Sequence, residues 1–378
     1  MSWEYKTLDQ LGEVSRGRSK HRPRNDPSLF GGKYPFIQTA DVKAANFYIT
    51  EYDTTYNEKG LAQSRLWTPG TLCITIAANI ADTGILAMDA CFPDSVMGFL
   101  PYEGIADVRF VKYCFDILQQ NCKKISQGAA QDNLSWEKLS TILFPAPPIE
   151  VQTKIADILS AYDDLIENNR KQIKLLEEAA QRLYKEWFID LRFPGHETTP
   201  IVDGVPEGWF TAAVTDLLEI RYGKDHKALG DGEIPAYGSG GIIRRVNKVL
   251  YSGESVLIPR KGSLNNILLV SGDFWTIDTM FYSIPKRPNI AKYIYLYLSG
   301  VDMYAMNIGA AVPSMTVKIL EGMKLLCPTD HVVESFEETV RPYFDMIELL
   351  KNKIVSLAEA RDKLLPKLMS GEIEVENI

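Results

Sequence analysis

The feature that most constrains this chain is that it repeats itself. Residues 128–188 align with 309–369 at a constant offset of 181, with no gap. Gly128-Ala129-Ala130 falls on Gly309-Ala310-Ala311, Leu139 on Leu320, Pro147 on Pro328 and Val151 on Val332. Tyr162, Asp164, Ile166 and Glu167 fall on Tyr343, Asp345, Ile347 and Glu348. Ile173, Leu176, Glu178, Ala179 and Leu183 fall on Ile354, Leu357, Glu359, Ala360 and Leu364. A looser match at an offset of 206 links Trp3, Glu13-Val14 and Gly17 to Trp209, Glu219-Ile220 and Gly223. Self-similarity at a fixed period marks a repeated structural module. The chain therefore reads domain, helix, domain, helix.

The helical half of each module carries its own pattern. From Glu150 to about Asp190 there is neither proline nor glycine. Ile155, Leu159, Tyr162, Ile166, Asn169, Ile173, Leu176, Ala180, Leu183 and Trp187 recur at alternating steps of four and three, a heptad seam with one polar slot at Asn169. The second copy repeats it with Phe336, Val340, Tyr343, Ile347, Leu350, Ile354, Leu357, Leu364 and Leu368, with Arg361 in a polar slot. Two such stripes in one chain predict an antiparallel pair, with the polar Asn169 a candidate register mark. Forty residues of helix rise about 60 Å, enough to serve as a ruler. Pro342 and Pro366 predict local weakening or a kink, because proline lacks the amide donor and crowds the preceding turn.

The remaining segments look mixed and strand-rich. Residues 70–76 and 253–258 have the turn-bounded, β-branched composition of buried strands. Helices are predicted over 108–122 and 290–303, and the Pro/Gly-containing stretch 193–208 reads as a linker. The fold class is thus α+β: two similar mixed domains separated by a pair of long antiparallel coiled-coil helices, with approximate two-fold symmetry. The boundaries are a first domain at 1–147, a first long helix at 148–192, the linker, a second domain at 209–328, a second long helix at 329–370 and a tail at 371–378.

Chemistry-bearing motifs are missing. The four histidines have no cysteine or carboxylate at zinc-ligand spacing. Neither GxGxxG, GxxxxGK[ST] nor GxSxG occurs. Five cysteines without a CxxC pair suit a reduced, cytoplasmic chain, and no apolar run reaches the ~20 residues of a membrane helix. These absences favour a non-catalytic binding protein. The net charge of −8 argues mildly against nucleic acid, but it sits in the helical segments; residues 1–147 net −1 and 200–327 net +1. Cations cluster in both domains at matching places. Arg16, Arg18, Lys20, Arg22 and Arg24 surround Gly17, and Arg221, Lys224 and Lys227 surround Gly223. Arg244, Arg245, Arg260 and Lys261 follow. Arginine and lysine in Gly/Ser/Asn loops suit phosphates and guanine edges. Two other readings stay open: an interaction scaffold whose duplicated domains bind proteins, and an enzyme with an unrecognised site.

With these parts in place the chain resembles the specificity subunits of Type I restriction–modification systems. The carriers are Gly128-Ala-Ala-Gln-Asp-Asn-Leu-Ser135, Pro145-Ala-Pro-Pro148, Ile155-Ala-Asp-Ile-Leu159 and Leu183-Tyr-Lys-Glu-Trp-Phe188. They continue with Arg192-Phe-Pro-Gly-His-Glu197, Val205-Pro-Glu-Gly-Trp209 and Lys363-Leu-Leu-Pro-Lys-Leu-Met-Ser-Gly371. The second copy departs at Gly309-Ala-Ala-Val-Pro-Ser-Met-Thr316, which lacks counterparts of Gln131 and Asn133. The resemblance implies two target recognition domains reading a bipartite, asymmetric DNA site. It implies helices that dock methyltransferase (M) subunits, with restriction (R) motor-nuclease subunits completing the complex. S-adenosylmethionine, ATP and Mg would serve those partners, and no cofactor or metal would bind this chain.

Overall fold

Leu72-Cys73-Ile74-Thr75 is a fully buried run with β-branched residues, and it forms the middle of the first sheet. A computed structural model describes residues 3–76, 82–125 (backbone alone from 121), 136–306 and 314–375. The repeated Gly-Ala-Ala motifs at 128–130 and 309–311, with Gln131 and Asn133, lie outside the described residues. The chain divides into two units, Met1–Lys171 with Leu350–Ile378, and Gln172–Leu349. Each long helix contributes one part to each unit.

In the first unit the sheet runs Gly12–Arg16, Val96–Pro101, Leu72–Thr75, Thr83–Leu86, Tyr48–Ile49, antiparallel except for the last pair. In the second unit a sheet of the same order runs Leu218–Tyr222, Met280–Pro285, Ser255–Pro259, Leu268–Val270, all antiparallel. The registers coincide. Arg16 pairs with Met97 and Tyr222 with Phe281; Ile74 pairs with Met97 and Ile258 with Phe281; Leu72 pairs with Ile85 and Val256 with Leu269. Each unit also pairs its opening strand with the strand just before a long helix: Glu4–Lys6 with Phe144–Ala146, and Phe210–Ala213 with Lys324–Cys327. The second unit adds a four-stranded sheet ordered Gly241–Val246, Asp231–Gly238, Asp273–Thr276, Tyr251–Ser252.

The first long helix spans Ile149–Tyr184 and continues through a π-helical turn, Lys185–Ile189; the second spans Asp330–Met369. In the first unit Ile155, Ala156 and Leu159 share a core with Leu365, Leu368 and Met369, and Asp163 meets Arg361. Rising numbers on one helix meet falling numbers on the other, so this stretch of the pair is antiparallel. In the second unit Ala180, Tyr184, Trp187 and Phe188 pack with Val332, Val333, Phe336 and Val340. The rings of Trp187 and Phe336 lie 5.5 Å apart. The second helix runs through both Pro342 and Pro366, where local weakening or a kink is expected. Both prolines, and the residues Glu338 and Asp362 whose carbonyls lose the proline amide as a donor, are exposed. The helix expected over 108–122 is Val108–Ile125, and the expected strands are Leu72–Thr75 and Ser255–Pro259. The helix expected over 290–303 is Ala291–Ser299, and the 193–208 stretch holds a small hairpin, Ile201–Val202 with Val205–Pro206.

Of the seam residues, Ile155, Leu159, Ile166, Asn169, Ile347 and Leu350 are buried. Tyr162, Ile173, Leu176, Leu183, Tyr343, Ile354, Leu357 and Leu364 are half-buried. The Asn169 amide nitrogen is buried with no hydrogen-bond partner among the described residues. A polar lock exists nearby, made of other residues. Asp163 is 4% exposed, pairs with Arg361 across the helices, and accepts the Tyr113 hydroxyl at 2.6 Å. Burial, then the Asp163 charge, pushes the Tyr113 hydroxyl far above its ordinary value. Beside it Lys112, itself buried, pairs with Asp116 at 2.6 Å.

Candidate nucleic-acid interface

In each sheet a glycine follows the first strand, Gly17 after Arg16 and Gly223 after Tyr222, and both glycines are seated against backbone. Gly17 donates its amide to Val96 (2.8 Å) and Gly223 to Met280 (3.0 Å). The next residues do likewise, Arg18 to the Phe92 carbonyl and Lys224 to that of Thr276, both at 2.9 Å. A Cβ on Gly17 would lie 2.3 Å from the Pro93 oxygen; one on Gly223 would lie 2.0 Å from that of Ile277. Only glycine fits that approach. Gly17→Ala and Gly223→Ala are each expected to cost about 1–3 kcal/mol through overpacking, measurable by urea denaturation, and to displace the cationic loop that follows.

In the first unit the loop after Gly17 is held by its backbone. The Gln63 side-chain oxygen accepts the amides of Lys20 (2.6 Å) and His21 (2.9 Å), and the Ser64 hydroxyl donates to the Arg18 carbonyl at 2.7 Å. Arg22 donates to the carbonyls of Ser19 and His21 (2.7 and 2.8 Å), and Arg24 pairs with Asp94 at 2.7 Å. His21 bonds Asp26 at 2.7 Å. The Ser28 amide, Ser28 side chain and His21 hold the Asp26 carboxyl down to about 2. Its folded value lies below its unfolded one, so its contribution is present above about pH 4 and is lost as the pH falls through about 2. Arg16, Arg18 and Lys20 are exposed, and no ion pair engages their side chains among the described residues.

The second unit repeats the arrangement with different partners. The Trp275 indole donates to the Lys224 carbonyl at 3.0 Å, as Ser64 does to Arg18. The Lys227 amide, then the Lys227 and His226 neighbourhood, keeps the Asp225 carboxyl below its ordinary value. Lys224, Lys227 and Lys261 are exposed. Arg221 pairs with Glu219 on its own strand. Arg244 pairs with Asp231 at 2.7 Å, and Arg245 donates to the Glu233 carbonyl at 2.7 Å. Arg260 donates to the Asp278 carbonyl at 2.7 Å and stands 4.8 Å over the Tyr222 ring. Tyr222 occupies the place of Arg16, so a guanidinium on an aromatic ring replaces a free one.

Both loops thus combine a main chain held by hydrogen bonds with exposed cations, an arrangement that suits phosphate contacts. Exposed ion pairs such as Arg24–Asp94 hold only about 0–1 kcal/mol, so a phosphate displaces the carboxylate at little cost. The twelve cations sort by unit: Arg16, Arg18, Lys20, Arg22 and Arg24 in the first, the other seven in the second. The structure adds Gln63, Ser64 and Trp275, which carry no charge pattern and gave the sequence no signal. Among the described residues no group of His, Cys, Asp or Glu is arranged to hold a metal, and no helix is long and apolar enough to cross a membrane.

The comparisons with known proteins agree with this geometry. The family described as Type I restriction modification DNA specificity domain matches residues 1–178. The Type I restriction enzyme MjaIX specificity subunit of Methanocaldococcus jannaschii is 25% identical, over 100% of this chain and 94% of that protein. The HindI specificity subunit of Haemophilus influenzae is 22% identical, over 96% and 98%. The solved S subunit of a Type I system from M. genitalium shares the fold, with a TM-score of 0.57 and 17% identity over 97% of this chain and 96% of that one. Duplicated sheets, paired helices, the family match over residues 1–178 and relatives aligned from end to end converge: the chain is similar to the specificity subunits of Type I restriction–modification systems.

Proposed function

We propose that this chain is the DNA-recognition subunit of a Type I restriction–modification complex and that each unit reads one half of a bipartite, asymmetric site. The reading heads are residues 1–147 and 209–328. Residues 148–192 and 329–370 are helical spacers, 193–208 link the halves, and 371–378 form a tail. The observation that carries this reading is the repeated cationic loop, seated by Gly17 in one unit and Gly223 in the other on sheets of the same register. Phosphate contacts fix the position of each head, and a few side chains read base edges.

The long helices dock methyltransferase subunits. Exposed apolar residues along them support this: Leu165 and Val355 in the first unit, Leu175, Met346 and Leu349 in the second. The chain itself is non-catalytic and works in the cytoplasm. Adenine methylation with S-adenosylmethionine belongs to the M subunits, and ATP- and Mg-dependent restriction to the R subunits. Modified-base sequencing of DNA from cells expressing the chain with its methyltransferase tests the reading. The expected result is a split, adenine-methylated motif that disappears when the chain is deleted. Methylation that persists without the chain, or a motif with no gap, overturns it.

A further inference from the structure

Two strands of the second unit's added four-stranded sheet end in a hairpin tip, a ribbon with two apolar side chains open to water. Strands Asp231–Gly238 and Gly241–Val246 pair with Tyr237 opposite Ile242 and Gly238 opposite Gly241, joined by Ser239-Gly240. Ile242 is 55% exposed and Ile243 46%. The register shifts here: Ala236 pairs with Arg244 and Tyr237 with Ile242, which leaves Ile243, near Gly238, as the extra residue of a bulge. Both isoleucines are exposed at this irregular tip. Farther from the tip the strands follow the half-buried pattern, with Asp231, Glu233 and Arg245 exposed and Ala236 and Val246 buried, so the exposed isoleucines are confined to the tip. Arg245 and Lys248 are exposed on one strand and beyond it, and Asp231 and Glu233 on the other. The tip is tied down, since Asn266 donates to the Ser239 carbonyl at 2.8 Å.

The ribbon adjoins the cationic loop. Its strand pairs in parallel with Asp273–Thr276, Ala236 beside Trp275 and Tyr237 beside Thr276. Trp275 and Thr276 are the residues that hold the carbonyl and amide of Lys224. Loop and ribbon tip thus share one support. A double-stranded major groove is about 12 Å wide and admits a two-stranded ribbon. The apolar feature in that groove is the thymine 5-methyl group.

We propose that the 241–246 ribbon enters the major groove and that Ile242 and Ile243 read thymine methyls, which makes the second unit's half-site one that contains T·A pairs. This rests on the DNA-reading function above. The test uses the chain assembled with its methyltransferase and a duplex carrying the mapped site, with thymine replaced by uracil in one half at a time. Uracil pairs as thymine does and lacks the methyl. In one half, affinity is expected to fall about fourfold for each methyl contacted, the effect of one buried CH₂-sized group. The double variant I242A/I243A should bind more weakly and lose that sensitivity in the same half. Unchanged affinity of the parent complex after uracil replacement in both halves overturns the inference and leaves DNA reading intact; so does a variant that keeps the full sensitivity. A complex that binds neither duplex overturns the function and the inference together. The measurement on the parent complex needs no substitution, so a folding defect in the variant does not blur it.

Discussion

Arg361→Ala is expected to cost the first unit about 3 kcal/mol of stability, because it strands a carboxylate that water cannot reach. Asp163 is 4% exposed, and its partners are Arg361 on the opposite helix and the Tyr113 hydroxyl. Removing one member of a buried ion pair costs roughly 3–5 kcal/mol, since the remaining charge keeps its desolvation penalty without compensation. The Arg361 side chain is 24% exposed, which places the effect at the lower end. The second unit shows another solution to the same packing problem. At the offset of 181, Asp163 corresponds to Phe344 and Arg361 to Ala180, and the Phe344 ring packs against Tyr295 at 5.7 Å. An apolar replacement of the whole cluster, Tyr113→Phe with Asp163→Leu and Arg361→Met, should therefore stay within about 1 kcal/mol of the parent, as well-packed substitutes for buried pairs do. Urea denaturation followed by circular dichroism reads both. A loss under about 1 kcal/mol for Arg361→Ala would show that Asp163 finds water or a proton instead.

The second large effect is on DNA. Replacing Arg16, Arg18 and Lys20 by alanine together should flatten the salt dependence of binding. Each neutralised phosphate contributes a slope of about 0.9 in log K against log salt, so leaving three phosphates without a cation changes the slope by about 2.7. Affinity at low salt falls steeply, while folding stability moves by under about 0.5 kcal/mol, because all three side chains are exposed and unpaired among the described residues. Fluorescence anisotropy of the assembled complex on a duplex, titrated with salt, measures the slope. Arg24 makes a useful contrast. Its pair with Asp94 must open before it reaches a phosphate, so Arg24→Ala should change the slope by less than any of the three. An unchanged slope in the triple variant would remove this loop from the interface.

Much of this architecture is legible in the amino-acid order. The offset of 181 located the two long helices, and the offset of 206 located both glycine-seated loops. Apolar runs located the central strands Leu72–Thr75 and Ser255–Pro259. The sheets themselves escaped. Leu72–Pro101 and Val256–Pro285 correspond at an offset of 184 through every matched register pair, yet few residues are identical. A buried strand asks only for an apolar side chain of fitting volume and for backbone hydrogen bonds, which any residue but proline supplies. Such a requirement leaves a burial pattern without a residue signature.

Periodicity likewise placed Asn169 in the seam but missed Asp163, one step off the heptad register. A carboxylate there reads as solvent-facing until Tyr113, from a distant helix, is known to cover it. For the prolines at 342 and 366 local rules foresee the lost hydrogen bond, and only the folded helix places both residues on its exposed side.

The amino-acid order alone thus determined the duplication, the helical seam and the two cationic loops, because periodic burial and glycine-flanked charge are local properties of the chain. Tertiary structure alone decided the sheet correspondence, the Arg361–Asp163–Tyr113 lock, and which main-chain groups hold each loop. Those depend on contacts between residues up to 198 positions apart, and no window of sequence contains both partners.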